Sequence, residues 1–109
     1  MKKSEKNICS VTHTLFIIGG KWKIVVISYL INAKVLRYNE LEKLIPEVTP
    51  KMLIKVLKEL EEEQLITRKV YPVVPPKVEY SITELGKTLI PLITEIRNWG
   101  TFHIESLKK

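Results

Sequence analysis

The chain has 109 residues, 45% of them hydrophobic, and a formal net charge of +6 from 18 Lys and Arg against 12 acidic residues. That length fits one compact domain with a real core, and the apolar content excludes wholesale disorder. The positive balance points to a polyanion, either nucleic acid or an anionic membrane surface. Cys9 is the lone cysteine, which excludes an internal disulfide framework and suits a reducing cytoplasm. The longest apolar run, residues 24–31, is broken by Ser28 and is too short to span a bilayer. The opening MKKSEKN has no apolar stretch behind it of the kind a secretory signal requires.

Residues 1–8 are polar and are expected to fray. Val11, Leu15 and Ile18 then recur at helical spacing, and Gly19-Gly20 supplies the positive φ that ends a helix. Residues 22–30 are predicted as a central core helix through Trp22, Val25, Val26, Tyr29 and Leu30, with Lys21 and Lys23 flanking the tryptophan at the surface. Arg37-Tyr38 is a short extended piece. Asn39 is expected to cap a third helix, with Glu42 completing a capping box and Leu41, Leu44 and Ile45 buried.

A tight connection, Pro46-Glu47-Val48, leads to the helix at residues 50–63, PKMLIKVLKELEEE. Thr49 is its N-cap and Pro50 its first residue. Leu53, Val56, Leu57 and Leu60 fall on one face, and Lys51, Lys55 and Lys58 on the opposite one. Ile54 sits beside the lysine row. Glu61, Glu62 and Glu63 face the negative end of the macrodipole, so they do not serve helix stability. They would limit how far an anionic partner extends along the helix. Two short helices joined by such a turn read as a helix-turn-helix.

Partial alternation over 65–71 and 78–82 gives two strands, and Pro72-Val73-Val74-Pro75-Pro76 makes the projecting tip of a hairpin rimmed by Arg68, Lys69 and Lys77. A helix-turn-helix followed by a basic hairpin is a winged helix. Thr83 caps a last helix, in which Leu85, Leu89, Leu92, Ile96 and Trp99 form a 4-3-4-3 seam. Pro91 should kink it, and Gly100 interrupts it before Phe102, Ile104 and Leu107. The expected fold is mainly α with a small β hairpin: one winged helix-turn-helix domain over residues 1–109, with 83–109 as a dimerisation region.

Catalysis is not expected. There is no Gly-rich phosphate loop, no paired-cysteine metal spacing and no HExxH, and Asp is absent. His13 and His103 lack neighbouring ligands, so neither a metal nor a cofactor is expected.

The segments GGKWK at 19–23, RYNEL at 37–41, TPKML at 49–53, the run from Leu57 to Gly86 containing YPVVPPKVEY, and NWG at 98–100 resemble the HxlR-type winged-helix transcriptional regulators, relatives of the MarR type. The resemblance covers roughly Cys9 to Gly100. It implies a cytoplasmic, homodimeric regulator of double-stranded DNA whose terminal helices form the dimer interface. The family often has Cys-Pro before the first helix; here the pair is Cys9-Ser10.

On this reading the 50–63 helix enters the major groove of a pseudo-palindromic operator, and the 66–82 wing tracks flanking backbone or minor groove. Lys51, Lys55 and Lys58 would read guanine or neutralise phosphate. Thr49, Pro50 and Ile54 would meet thymine methyls or base edges. Arg37 and Asn39 would clamp phosphate, and Lys69 and Lys77 flank the wing tip. Leu15, Leu92, Ile96, Trp99 and Phe102 are the dimer candidates. A solvated charged face is the competing reading of each lysine. A winged helix used for protein interaction is the competing reading of the whole, supported by Ile54 and the Val73-Val74 tip. Cys9 has two readings as well: an inert residue at a helix start, or a redox sensor favoured by the helix N-terminus and by Lys2, Lys3 and Lys6. Operator, sign of regulation and effector are not encoded in any motif.

Overall fold

The computed structural model describes residues 9–108. The N-terminal segment expected to fray, with Lys2, Lys3 and Lys6, lies outside them. Helix α1 spans Ser10–Ile18, with Cys9 at its N-cap, and stops at Gly19-Gly20, where Gly20 takes a φ of 95°. Helix α2, Lys23–Ala33, runs three residues past its expected end and is the central core helix. Val26, Ile27 and Leu30 are its buried residues, while Trp22, Val25 and Tyr29 are only half-buried. Ile27 thus takes the place that periodicity assigned to the aromatics.

The short extended piece expected at Arg37-Tyr38 is a strand that begins two residues earlier, β1 (Val35–Arg37), and Tyr38 is already helical. Helix α3, Tyr38–Leu44, starts directly from this strand, so the N-cap is Arg37 and not Asn39. The Arg37 amide donates to Glu40 Oε1 at 2.7 Å, which displaces the expected partner Glu42 from the capping role. Asn39 becomes the second residue of the helix and is exposed. Leu41 and Ile45 are buried as expected, but Leu44 is exposed. A short turn leads to α4, Pro50–Glu62, whose stripe Leu53, Val56, Leu57 and Leu60 is wholly buried.

Strands β2 (Ile66–Tyr71) and β3 (Lys77–Ile82) form the expected hairpin, paired from Ile66↔Ile82 to Tyr71↔Lys77. β1 adds to the free edge of β3, with Leu36 opposite Tyr80, giving an antiparallel sheet of order β1-β3-β2. The recruited strand has a structural use. It covers one edge of the wing and fixes Arg37 opposite Glu79, near the wing tip.

The last helix is two helices. Thr83 caps α5 (Glu84–Lys87), its Oγ1 accepting from the Gly86 amide at 2.9 Å. Gly86 has no room for a side chain, since a Cβ would strike the Leu65 carbonyl and the Ile82 side chain. Helix α6 then runs Ile90–Leu107. Pro91 acts as a starter here rather than a kink inside a continuous helix. It has no N–H to offer the Lys87 carbonyl, and it occupies the first turn of α6, where that donor is dispensable. Gly100 does not interrupt α6, because one interior glycine costs only about 1 kcal/mol relative to alanine. The architecture is a winged helix-turn-helix with helices α1 and α6 flanking it. One core joins α2, α3, α4 and the sheet, and from α6 only Ile93 is buried in it among the described residues. Among the described residues no single helix is long and apolar enough to cross a membrane.

Candidate nucleic-acid interface

Helix α4 begins as its sequence dictates. Thr49 Oγ1 accepts from the Met52 amide at 3.1 Å, and Pro50 fills the first turn. Its apolar stripe is sealed against the core, which fixes the rotation of the helix and turns Lys51, Lys55 and Lys58 outward. None of these three ammonium groups is in an ion pair among the described residues. Thr49 and Pro50 are exposed at the leading end, and Ile54 is 57% exposed beside the lysines. The helix therefore carries a positive outer face, unneutralised among the described residues, with two exposed large apolar side chains, Ile54 and Met52. The acidic run follows at its end, with Glu61 and Glu62 exposed and Glu63 half-buried at the C-cap.

The wing is more tightly organised than its sequence suggests. On one face of the sheet Glu79 sits between Arg37 of β1 and Lys69 of β2, its cross-strand neighbours on either side. Tyr71 donates its hydroxyl to Glu79 Oε1 at 2.8 Å. The ammonium groups of Lys69 and Lys77 lie 4.9 and 4.5 Å from the centroid of the Tyr71 ring. Lys77 also stands 3.7 Å from Glu79 Oε2. A single carboxylate and a single ring thus gather two cations, Lys69 and Lys77, on the face where Arg37 is the cross-strand neighbour of Glu79. Sequence reasoning passed over both Tyr71 and Glu79. The signal was present, since Lys69 and Glu79 bracket the tip at matching distances and a hairpin register makes them neighbours. Lys77 is half-buried and partly neutralised, so it is a weaker free charge than expected.

Arg37, Asn39 and Lys77 are brought together. They line one cleft of about 500 Å³ between the start of α3 and the wing tip, with Tyr38 and the Val73–Val78 segment. Tyr38 links this cleft to α4: its hydroxyl lies 3.5 Å from the Pro50 carbonyl. Burial, and then the Glu42 carboxylate beside it, push the Tyr38 phenol above its ordinary pKa, so it stays a neutral donor. The tip itself is apolar and outward, with Val73 and Val74 exposed.

The dimer candidates lie elsewhere. Leu15, Leu92, Ile96, Trp99 and Phe102 are all exposed, and Val11 and Phe16 on α1 and Ile104 and Leu107 on α6 join them. His103 stacks on Trp99 with ring centroids 4.9 Å apart. Cys9 is exposed at the start of α1. Its sulfur makes no capping hydrogen bond as the thiol. The free amides of Thr12 first and Val11 second nevertheless favour the thiolate and hold its pKa below the ordinary value. Among the described residues no cluster of His, Cys, Asp or Glu could hold a metal ion.

Residues 17–108 match the family described as HxlR-like helix-turn-helix. The HTH-type transcriptional regulator YdeP of Bacillus subtilis strain 168 is 48% identical over 101 residues, covering 93% of this chain and 78% of its own. The redox regulator HypR superposes in its reduced form with a TM-score of 0.85 at 41% identity, over 92% of this chain and 98% of HypR. In its oxidised form the TM-score is 0.80 at 44% identity, over 85% and 95% of the two chains. A MarR-family regulator from Porphyromonas gingivalis W83 gives 0.80 at 41% identity, over 93% and 97%. With that match over most of its length, and with the winged helix-turn-helix that its residues build, the chain belongs to the HxlR-like helix-turn-helix family of transcriptional regulators.

Proposed function

We propose that the chain is a sequence-specific DNA-binding regulator that acts as a homodimer. The observation that carries this reading is the outer face of α4: three lysines, unpaired among the described residues, on a helix whose opposite face is sealed into the core. The residues that meet DNA are Thr49, Pro50, Lys51, Ile54, Lys55 and Lys58 on α4, Arg37 and Asn39 at the start of α3, and Lys69 and Lys77 on the wing. The helix enters the major groove, and the cleft and wing hold flanking backbone. The acidic end of α4 limits the contact to its first three turns. Residues 1–109 act as one domain, in which α1 and the 83–109 region supply the two-fold interface through Leu15, Leu92, Ile96, Trp99 and Phe102. The two recognition helices then meet half-sites about 34 Å apart, one turn of DNA. Pull-out of bound genomic fragments followed by footprinting tests this directly. The expected result is a protected pseudo-palindrome with half-sites one turn apart, and protein that enriches no fragment over a random library would sink the proposal.

A redox input is the second part of the proposal. It rests on an exposed thiol of lowered pKa at the start of an outward-facing helix, and on similarity to a redox regulator solved in reduced and oxidised forms. With one cysteine per chain, oxidation by diamide joins the Cys9 sulfurs of two protomers. Two S–H bonds break, one S–S bond forms, and diamide takes up the two electrons and two protons as its hydrazine. A non-reducing gel should show a cross-linked dimer that Cys9→Ser lacks, and operator affinity should change only in the wild type. Equal affinity before and after oxidation excludes the sensor and leaves DNA binding intact.

A further inference from the structure

Lys23 was expected at the surface beside Trp22, but its side chain is only 14% exposed. Its ammonium donates to the Ile17 carbonyl at 3.2 Å and stands 3.2 Å from Glu59 Oε1. One partner is the last turn of α1, and the other is on α4. Helix energetics do not account for a lysine there. Lys23 is the first residue of α2, where the macrodipole disfavours a cation, and no acidic residue follows in that turn. Meanwhile α1 has no basic residue in its own last turn, so Lys23 supplies the cation that this helix end lacks. Glu59 is equally well placed to transmit position. It lies on the shoulder of α4, next in sequence to Lys58 of the outer row and Leu60 of the buried stripe. The tie matters because α1 is otherwise held only through its last turn, where Ile18 is buried and Ile17 packs on the core, while Val11, Leu15 and Phe16 face outward.

We infer that Lys23 is a positioning residue for DNA recognition: its shared ammonium sets the recognition helix α4 relative to α1, and through α1 relative to the second protomer. This rests on the DNA-binding homodimer proposed above and adds the route by which α1 governs helix spacing. Lys23 contacts no DNA in this account. Its loss therefore lowers affinity for an operator with fixed half-site spacing and spares binding to random DNA.

The test uses the full chain, the operator recovered from genomic pull-out, and a random duplex of equal length. Lys23→Met keeps the aliphatic stem and removes both bonds. Glu59→Gln keeps the bond to Ile17 and weakens only the link to α4, which guards against a folding defect in the first variant. Each variant should lose about tenfold in operator affinity, within the range of a typical site-to-site coupling, and change binding to the random duplex by less than about twofold. The double variant should be no weaker than Lys23→Met alone, because both remove one interaction. The slope of log K against log salt should stay at the wild-type value, whereas a lost phosphate contact lowers it by about 0.9. A lowered slope, an unchanged operator affinity, or equal losses on operator and random DNA would each overturn the inference. The last is the mark of a smaller folded fraction. Wild-type protein without any operator preference is a different result, and it removes the DNA-binding proposal along with the inference.

Discussion

Helices α4 and α6 are both amphipathic in sequence, and their apolar residues meet opposite fates. In α4 the stripe from Leu53 to Leu60 is buried by the protein's own core, leaving the charged face outward. In α6 the seam residues Leu92, Ile96 and Trp99 are outward, and the one buried residue is Ile93, which the seam omits. Periodicity reports that a face will be covered. It does not report whether the cover comes from the same chain. The charged face of α4 and the apolar face of α6 are, on the reading proposed above, two binding surfaces with different partners.

Substitutions at the two helices should separate these fates. The largest effect is expected from Leu57→Ala, which removes a fully buried side chain and should cost about 2–5 kcal/mol of folding stability by denaturant titration. Trp99→Asp should leave the protomer folded by circular dichroism, because that side chain is 62% exposed. It should instead give a monomer in sedimentation, and operator affinity should fall by about two orders of magnitude as the joint engagement of two half-sites is lost. Unfolding of this variant would place Trp99 in the protomer core and break the comparison.

A smaller effect should come from the outer face of α4. Lys55→Ala should leave stability within about 0.5 kcal/mol, as for other surface changes. The slope of log K against log salt should become shallower by about 0.9 for each phosphate contact removed. An unchanged slope would assign this lysine to solvent. The smallest effect concerns α1. Because the Thr12 and Val11 amides depress the Cys9 pKa, its alkylation should rise with pH through a midpoint lower than that of the urea-unfolded chain. Coincident profiles would mean that the helix start does not activate the thiol.

Much of the fold was legible because its signals are local. The Thr49 cap, the Pro50 start, the buried stripe of α4 and the proline-rich tip all follow from short-range chemistry. What escaped is non-local. The extended piece before α3 becomes the strand β1 because Val35 pairs with Ser81, far along the chain. That pairing makes Arg37 the cap of α3 and moves Asn39 inside the helix. The Pro91 misreading is of the same kind, since a proline breaks or begins a helix depending on what precedes it. Individual candidate residues were readable as charge on a helix face or a hairpin rim. Their organisation by Tyr71 and Glu79 needed the strand register, and the use of Lys23 needed two helices that sequence gave no means of juxtaposing.

Helix α6 is 18 residues long, yet it is anchored in the core by Ile93 alone among the described residues. On the dimer reading, most of the apolar surface it offers is covered only when a second chain arrives, so mass action enters the folding equilibrium. The melting temperature should then rise with protein concentration. Inside a cell, protomers at low copy number would be the less stable population and the better protease substrates. Dosage would then set both how many regulators exist and how long each one lasts.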